Sequence, residues 1–203
     1  MIEASLRVVP EGEEEWVGPM DVASRYGAAA GRPLEVDLGC GKGRFLLAHA
    51  ARHPGVNFLG IDRMLRRIRK VDNRARRMDL GNIRLLRCEA YYAVSYLLPP
   101  ASVDVCYIFF PDPWPKARHE GHRLFNGTFL DALARVLKPG GAMHFATDHA
   151  PYFEQVAPLL AGDGRFEAVA PFVPDAEEQT DFELYYVTRE SKAIGRFSVR
   201  RRA

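Results

Sequence analysis

The chain has 203 residues, 47% apolar and 27% charged, with a net charge of +2. That length suits one domain, and that composition can bury a real core, which excludes wholesale disorder. No apolar run approaches the ~20 residues a membrane span requires; the longest, Val103 to Phe110, is broken by Asp104.

In chain order the pattern alternates strand and helix. Leu34–Leu38, bounded by Pro33 and Gly39, reads as a buried strand. Gly43 to Arg52 has helical apolar spacing, Val56–Ile61 is a second strand, and Met64 to Met78 is a helix with Leu65, Ile68 and Val71 on one stripe. Asn82–Cys88 is strand-like, and Tyr91–Leu98 is a helix stopped by Pro99-Pro100. Val103–Phe110 is β-branched and aromatic, a strong strand signal. Asn126–Leu137 is helical and ends at the turn Lys138-Pro139-Gly140-Gly141. Ala142–Thr147 is a fifth strand, and Pro151–Leu160 is a helix with Pro151 suited to its first turn. Phe166–Phe172 and Phe182–Thr188 read as two closing strands. The alternation predicts a doubly wound α/β sheet, which binds ligands at the carboxyl ends of its strands near the switch point. We expect one domain over 1–203, with an acidic and loosely held segment over the first 30 residues.

The start Met-Ile-Glu-Ala-Ser has no basic segment followed by an apolar one, so no signal peptide is expected. Cys40, Cys88 and Cys106 are odd in number and lack metal spacing; they read as reduced core thiols of a cytoplasmic protein. Six acids and one base precede Arg25. From Asp62 to Arg87 ten bases face three acids, a local charge of +7, and the tail adds Arg196, Arg200, Arg201 and Arg202. Such stripes suit a phosphate backbone or merely a solvated helix face.

The first strand runs into Asp37-Leu38-Gly39-Cys40-Gly41-Lys42-Gly43. The dinucleotide spacing GxGxxG fails because position 44 is Arg, and the phosphate loop GxxxxGK[ST] is absent. The acid-x-Gly-x-Gly-x-Gly loop of S-adenosylmethionine-dependent methyltransferases fits, because a strand-end acid suits a cationic, phosphate-free ligand. A purely structural turn also remains open. Asp62 lies 19 residues after Gly43, about the separation of a ribose-binding carboxylate, and Glu89 follows the third strand, placed to border an adenine. A lone strand-end acid is usually a helix cap; three in series with a glycine loop favour a nucleoside.

The fourth strand leads into Phe109-Phe110-Pro111-Asp112-Pro113-Trp114-Pro115-Lys116-Ala117-Arg118-His119. Alternating prolines stiffen the loop and hold Asp112. Trp114 among Lys116, Arg118 and Arg123 can stack a base while the cations hold phosphate. His119 and His122 have no third ligand in spacing, so no metal is expected. Thr147-Asp148 ends the fifth strand on the same rim.

Together these strings resemble the bacterial tRNA (guanine-N7-)-methyltransferase family, over Leu34 to about Phe153. The most specific piece is Phe110 to His119 followed by Arg123-Leu124; Asn57 to Asp62 and His144 to Asp148 support it. The resemblance implies a Rossmann-like class I methyltransferase fold, a mostly parallel seven-stranded sheet with an antiparallel closing strand. It implies S-adenosylmethionine as cofactor, tRNA as partner, no membrane, and methyl transfer to N7 of a variable-loop guanosine. Carried over, the cofactor-binding positions are Asp37, Gly39, Gly41, Gly43, Asp62, Glu89, Ala90 and Asp112, with Asp112 also the catalytic acid. The substrate positions are Lys116, Arg118, His119, Arg123 and Asp148. Thr180-Asp181-Phe182-Glu183 is similar to a family Thr-x-Tyr-Glu motif, which adds Thr180 and Glu183. This chain departs from the family in its acidic N-terminal segment and in the longer distance from Glu183 to Gly195. Methylation of another nucleic-acid amino group, a small-molecule methyltransferase and a non-catalytic RNA-binding module are the competing readings.

Overall fold

The computed structural model describes residues 6–8, 18–114, 121, 123–186 and 193–203. Eight strands form one sheet: β1 (Leu6–Val8), β2 (Leu34–Leu38), β3 (Asn57–Asp62), β4 (Ile83–Arg87), β5 (Val103–Phe109), β6 (Leu137–Thr147), β7 (Phe166–Val169) and β8 (Gly195–Arg201). Their order is β1-β4-β3-β2-β5-β6-β8-β7. Pairing is parallel from β1 to β6, and β8 runs antiparallel to both β6 and β7. Setting aside the three-residue edge strand β1, this is the expected seven-stranded sheet with its antiparallel strand.

The helices are α1 (Arg44–Arg52), α2 (Leu65–Arg77), α3 (Ala90–Tyr92, continued by a wider turn over Ala93–Leu97), α4 (Gly127–Val136), α5 (Ala150–Ala161) and α6 (Asp181–Tyr185). The helices α3, α4 and α5 pack Val94, Leu133 and Val156 on one face of the sheet with Val36, Ile61, Ile108 and Phe145. On the other, α1 and α2 pack Leu46, Leu47, Ile68 and Val71 against Phe58, Ile83 and Leu85. Ile68, Val71 and Ala75 form the apolar stripe of α2; burying each of the larger two contributes roughly 1.5–3 kcal/mol. Gly60 in β3 lets α1 close on the sheet, since a Cβ there would stand 2.5 Å from Leu46. Asn126 caps α4 by accepting from the Phe129 N–H, and His149 caps α5 by accepting from the Tyr152 N–H, with Pro151 in the first turn.

Three expectations are corrected. Phe182–Thr188 is not a strand where it is described: Asp181–Tyr185 is helical, and residues 187 and 188 lie outside the described residues. Thr180-Asp181-Phe182-Glu183 has Ser/Thr-x-x-Glu capping spacing, and Thr180 Oγ1 accepts from the Glu183 N–H at 3.0 Å. The closing strand is instead β8, whose buried Ser198 and Val199 are hidden in an arginine-rich composition. Finally, the loosely held segment does not include residues 18–30. Met20 N–H donates to Leu97 O at 2.8 Å, Val22 is buried, and buried Tyr26 donates its hydroxyl to Phe58 O at 2.8 Å. Among the described residues no helix is long and apolar enough to cross a membrane.

Candidate active site

The chain runs from β2 outward to β3 and β4, then returns to place β5 on the other side of β2. That reversal opens a crevice at the carboxyl ends of β2 and β5. A cavity of about 1000 Å³ lies there. It brings together Asp37, Gly39, Gly41 and Gly43 from the first loop, Asp62 after β3, Glu89 and Ala90 after β4, and Asp112 and Trp114 after β5.

The glycine loop is built inward. Gly39 and Cys40 N–H both donate to Ile61 O, Gly43 N–H donates to Cys40 O, and Gly41 N–H donates to Asp62 Oδ2 at 3.1 Å. Gly43 sits at φ +73 as the cap of α1, and a Cβ there would stand 2.7 Å from Val71. Four loop N–H groups are thus spent within the protein. A dinucleotide or phosphate loop turns such groups toward its ligand.

Asp37 is 5% exposed. Burial, reinforced by the nearby Asp62 charge, pushes its pKa up to about 7. Asp62, equally buried, accepts from Met64 N–H at 2.7 Å as well as from Gly41. Glu89 accepts from Tyr92 N–H at 2.9 Å, so it caps α3 and borders the cavity at once. The three cysteines are free and buried. Burial pushes Cys88 up to about 11 and raises Cys40 and Cys106 well above the ordinary thiol value, so none supplies a thiolate nucleophile near neutral pH.

The wall after β5 has a different character. Phe110 and Trp114 hold positive φ of 52° and 43° on either side of Pro111-Asp112-Pro113, conformations that side chains larger than glycine adopt at a cost. The Asp112 side chain is 72% exposed, with the Arg63 guanidinium 3.9 Å away. The helix α6 completes the mouth. Phe182 and Tyr185 are 53% and 46% exposed, and the Phe182 ring stacks on Phe110 at 6.0 Å between centroids.

The proposed substrate positions are scattered. Lys116, Arg118 and His119 lie outside the described residues. Arg123 lines the cavity but is only 9% exposed. It donates to Pro113 O at 2.9 Å and to Gln155 Oε1 at 2.6 Å, and lies over the Tyr152 ring. Its guanidinium braces the Asp112 loop from within the protein. Thr180 borders the cavity as the α6 cap. Glu183 is buried and takes a hydrogen bond from Arg196; burial raises its pKa despite that arginine. Neither Glu183 nor the half-buried Asp148 lines the cavity. Sequence reasoning missed Phe182 and Tyr185, which the capping spacing of Thr180 and Glu183 could have placed on a helix.

A family model described as "Putative methyltransferase" (Methyltransf_4) matches residues 31–196. A tRNA (guanine-N(7)-)-methyltransferase of Mycobacterium avium is 36% identical over 173 residues, covering 85% of this chain and 66% of that protein. Its counterpart from Syntrophotalea carbinolica is 36% identical over 183 residues, covering 90% of this chain and 78% of that protein. The chain thus spans about two thirds or less of the length of the first curated relatives it matches. Among solved structures, a 16S rRNA methyltransferase of Catenulisporales acidiphilia with cosubstrate SAM superposes with a TM-score of 0.59. It is 17% identical, with 89% of this chain and 92% of that one covered, a likeness of fold. On the family match and the relatives' identity, the chain belongs to the tRNA (guanine-N(7)-)-methyltransferase family.

Proposed function

We propose that this protein methylates N7 of a guanosine in the variable loop of tRNA, using S-adenosylmethionine. The observation that carries this reading is the pairing, across one cavity, of an inward-bonded glycine loop with the Pro111-Asp112-Pro113-Trp114 loop. The first wall offers buried carboxylates and no nest of N–H groups, which fits a ligand with a cationic end, a ribose and no phosphate. Asp37 and the loop glycines would hold the cationic end, Asp62 the ribose hydroxyls, and Glu89 with Ala90 the adenine. When bound, this cofactor supplies an electrophilic methyl group on a sulfonium.

Guanine N7 carries a lone pair and no proton, so the protein needs no general base. Its task is alignment, worth up to ~7–11 kcal/mol when geometry is ideal, together with stabilisation of the positive charge that arrives on the purine. Asp112, fixed between two prolines, supplies a carboxylate for that charge. The exposed rings of Phe182 and Tyr185 offer a stacking surface for a base taken out of the RNA stack. The exposed cations of α2, among them Arg66, Arg69 and Lys70, suit the RNA backbone.

The test is methyl transfer from labelled S-adenosylmethionine to unmodified tRNA transcripts, mapped by cleavage at 7-methylguanosine. Label at a variable-loop guanosine, lost in Asp112→Ala, is the expected result. Label on an exocyclic amine or only on small molecules overturns the proposed substrate. Cofactor binding with no transfer at all overturns the activity.

A further inference from the structure

Toward the C-terminal end of α1, one turn beyond the cavity-lining Phe45, a polar cluster takes no part in the chemistry above. His49 and His53 stand one turn apart on α1 and its C-cap, with ring centroids 4.4 Å apart. Glu178, from the segment leading into α6, meets them, and the three candidate ligand atoms lie within 4.8 Å of one another. The side chains of His49 and Glu178 are 8% and 5% exposed.

The hydrogen bonds fix the tautomer of a neutral His49. Tyr107 donates its hydroxyl to Glu35 Oε2 at 2.8 Å. That hydroxyl therefore has only an acceptor to offer His49 Nε2, 3.1 Å away, so the proton resides on Nε2. A bare lone pair on Nδ1 then faces Glu178 Oε1 at 3.1 Å. Apart from each other, and Arg52 Nε at 3.4 Å from Glu178 Oε1, neither buried atom has a partner. A proton or a metal cation between the two atoms satisfies both. A histidine whose outer N–H is held by a tyrosine–glutamate pair is how metal-ligating imidazoles are oriented. Nitrogen and oxygen donors on one zinc ion stand roughly 3.1–3.4 Å apart. Glu35 and Glu178 put two carboxylates beside His49, while the more exposed Arg52 and Asp175 pair with each other at 2.6 Å.

We propose that His49, His53 and Glu178 form a binding site for a divalent transition metal of the zinc class. The i, i+4 histidines supply two ligands from one helix face, and Glu178 supplies the third from a distant segment. The ion would staple α1, which begins at the cofactor-side loop, to the segment that carries α6 onto the cavity. It would act as a structural tie, and methyl transfer passes through none of its ligands.

The probe is cobalt(II) titrated into full-length, metal-stripped protein, read by visible absorption, with zinc(II) displacing it. The expected result is one equivalent of cobalt with d–d bands and no thiolate charge-transfer band. Zinc should raise the melting temperature. His53→Ala, at an exposed position, and Glu178→Gln should each weaken binding at least about 100-fold and abolish the zinc-dependent rise. Absence of stoichiometric binding, a thiolate band, or binding unchanged in both variants overturns the site. In the first case His49 is an imidazolium held between two glutamates.

Discussion

The two walls of the cavity are built on opposite plans. On the β2–β4 side, Asp37 and Asp62 are each 5% exposed and the glycine loop is bonded mainly to the end of β3. On the β5 side, Asp112 is open to solvent and is held by backbone conformation and two prolines. The first wall fixes its groups by burial, which makes charge costly. The second leaves its carboxylate open to water, at the expense of strain at Phe110 and Trp114. One plan suits a small ligand taken up whole; the other suits a large polymer that presents one base.

Four experiments can break or sharpen that contrast. Asp112→Asn should lower kcat by about 10²–10³ while leaving the cofactor Kd and melting temperature unchanged; a change confined to Kd would put Asp112 on the first wall. Asp37→Asn should weaken cofactor binding about 10–100-fold, measured by calorimetry. Because its pKa is raised to about 7, wild-type affinity should fall about tenfold per unit as pH drops below 7, and the Asn variant should show no such slope. The stability tied to Asp37 has the opposite sign. It is fully present at pH below the ordinary carboxylate range and is lost as pH rises through 7, so Asp37→Asn should melt higher at pH 8 without ligand.

Phe182→Ala should raise the KM for tRNA about fivefold or more with little effect on the cofactor Kd, and Phe182→Tyr should restore it. Gly43→Ala has the smallest effect on turnover. Its Cβ meets Val71 at a left-handed position, which costs about 1–3 kcal/mol and lowers the melting temperature by several degrees.

The first wall was legible in the sequence because its signals are local. Asp37 and three glycines share one heptapeptide, and Asp62 and Glu89 each follow a recognisable strand. The second wall was legible only as far as Trp114. The bracing role of Arg123 was not legible, because its partners, Pro113 O and Gln155, come from other parts of the chain and leave no local pattern. The stretch from Phe182 to the tail was misassigned for a related reason. Phe182 to Thr188 has β propensity, yet the Thr180 cap turns its start into a helix. The true strand, β8, looked like a basic tail because Arg196, Arg200 and Arg201 surround its buried Ser198 and Val199. The spacing of His49 and His53 is visible in the chain, but Glu178 joins them only through the fold.

The inward bonding of the glycine loop also bears on competition inside a cell. ATP, NAD and their relatives share the adenosine that this crevice is proposed to accept, and they are abundant. Each arrives with phosphates that need N–H donors or cations. Lys42, Arg63 and Arg67 do line the cavity, but beside the glycine loop such phosphates would meet Asp37 and Asp62, with four of the loop's N–H groups already committed. Repulsion between like charges then does the discriminating, and it requires no contact that recognises the correct ligand.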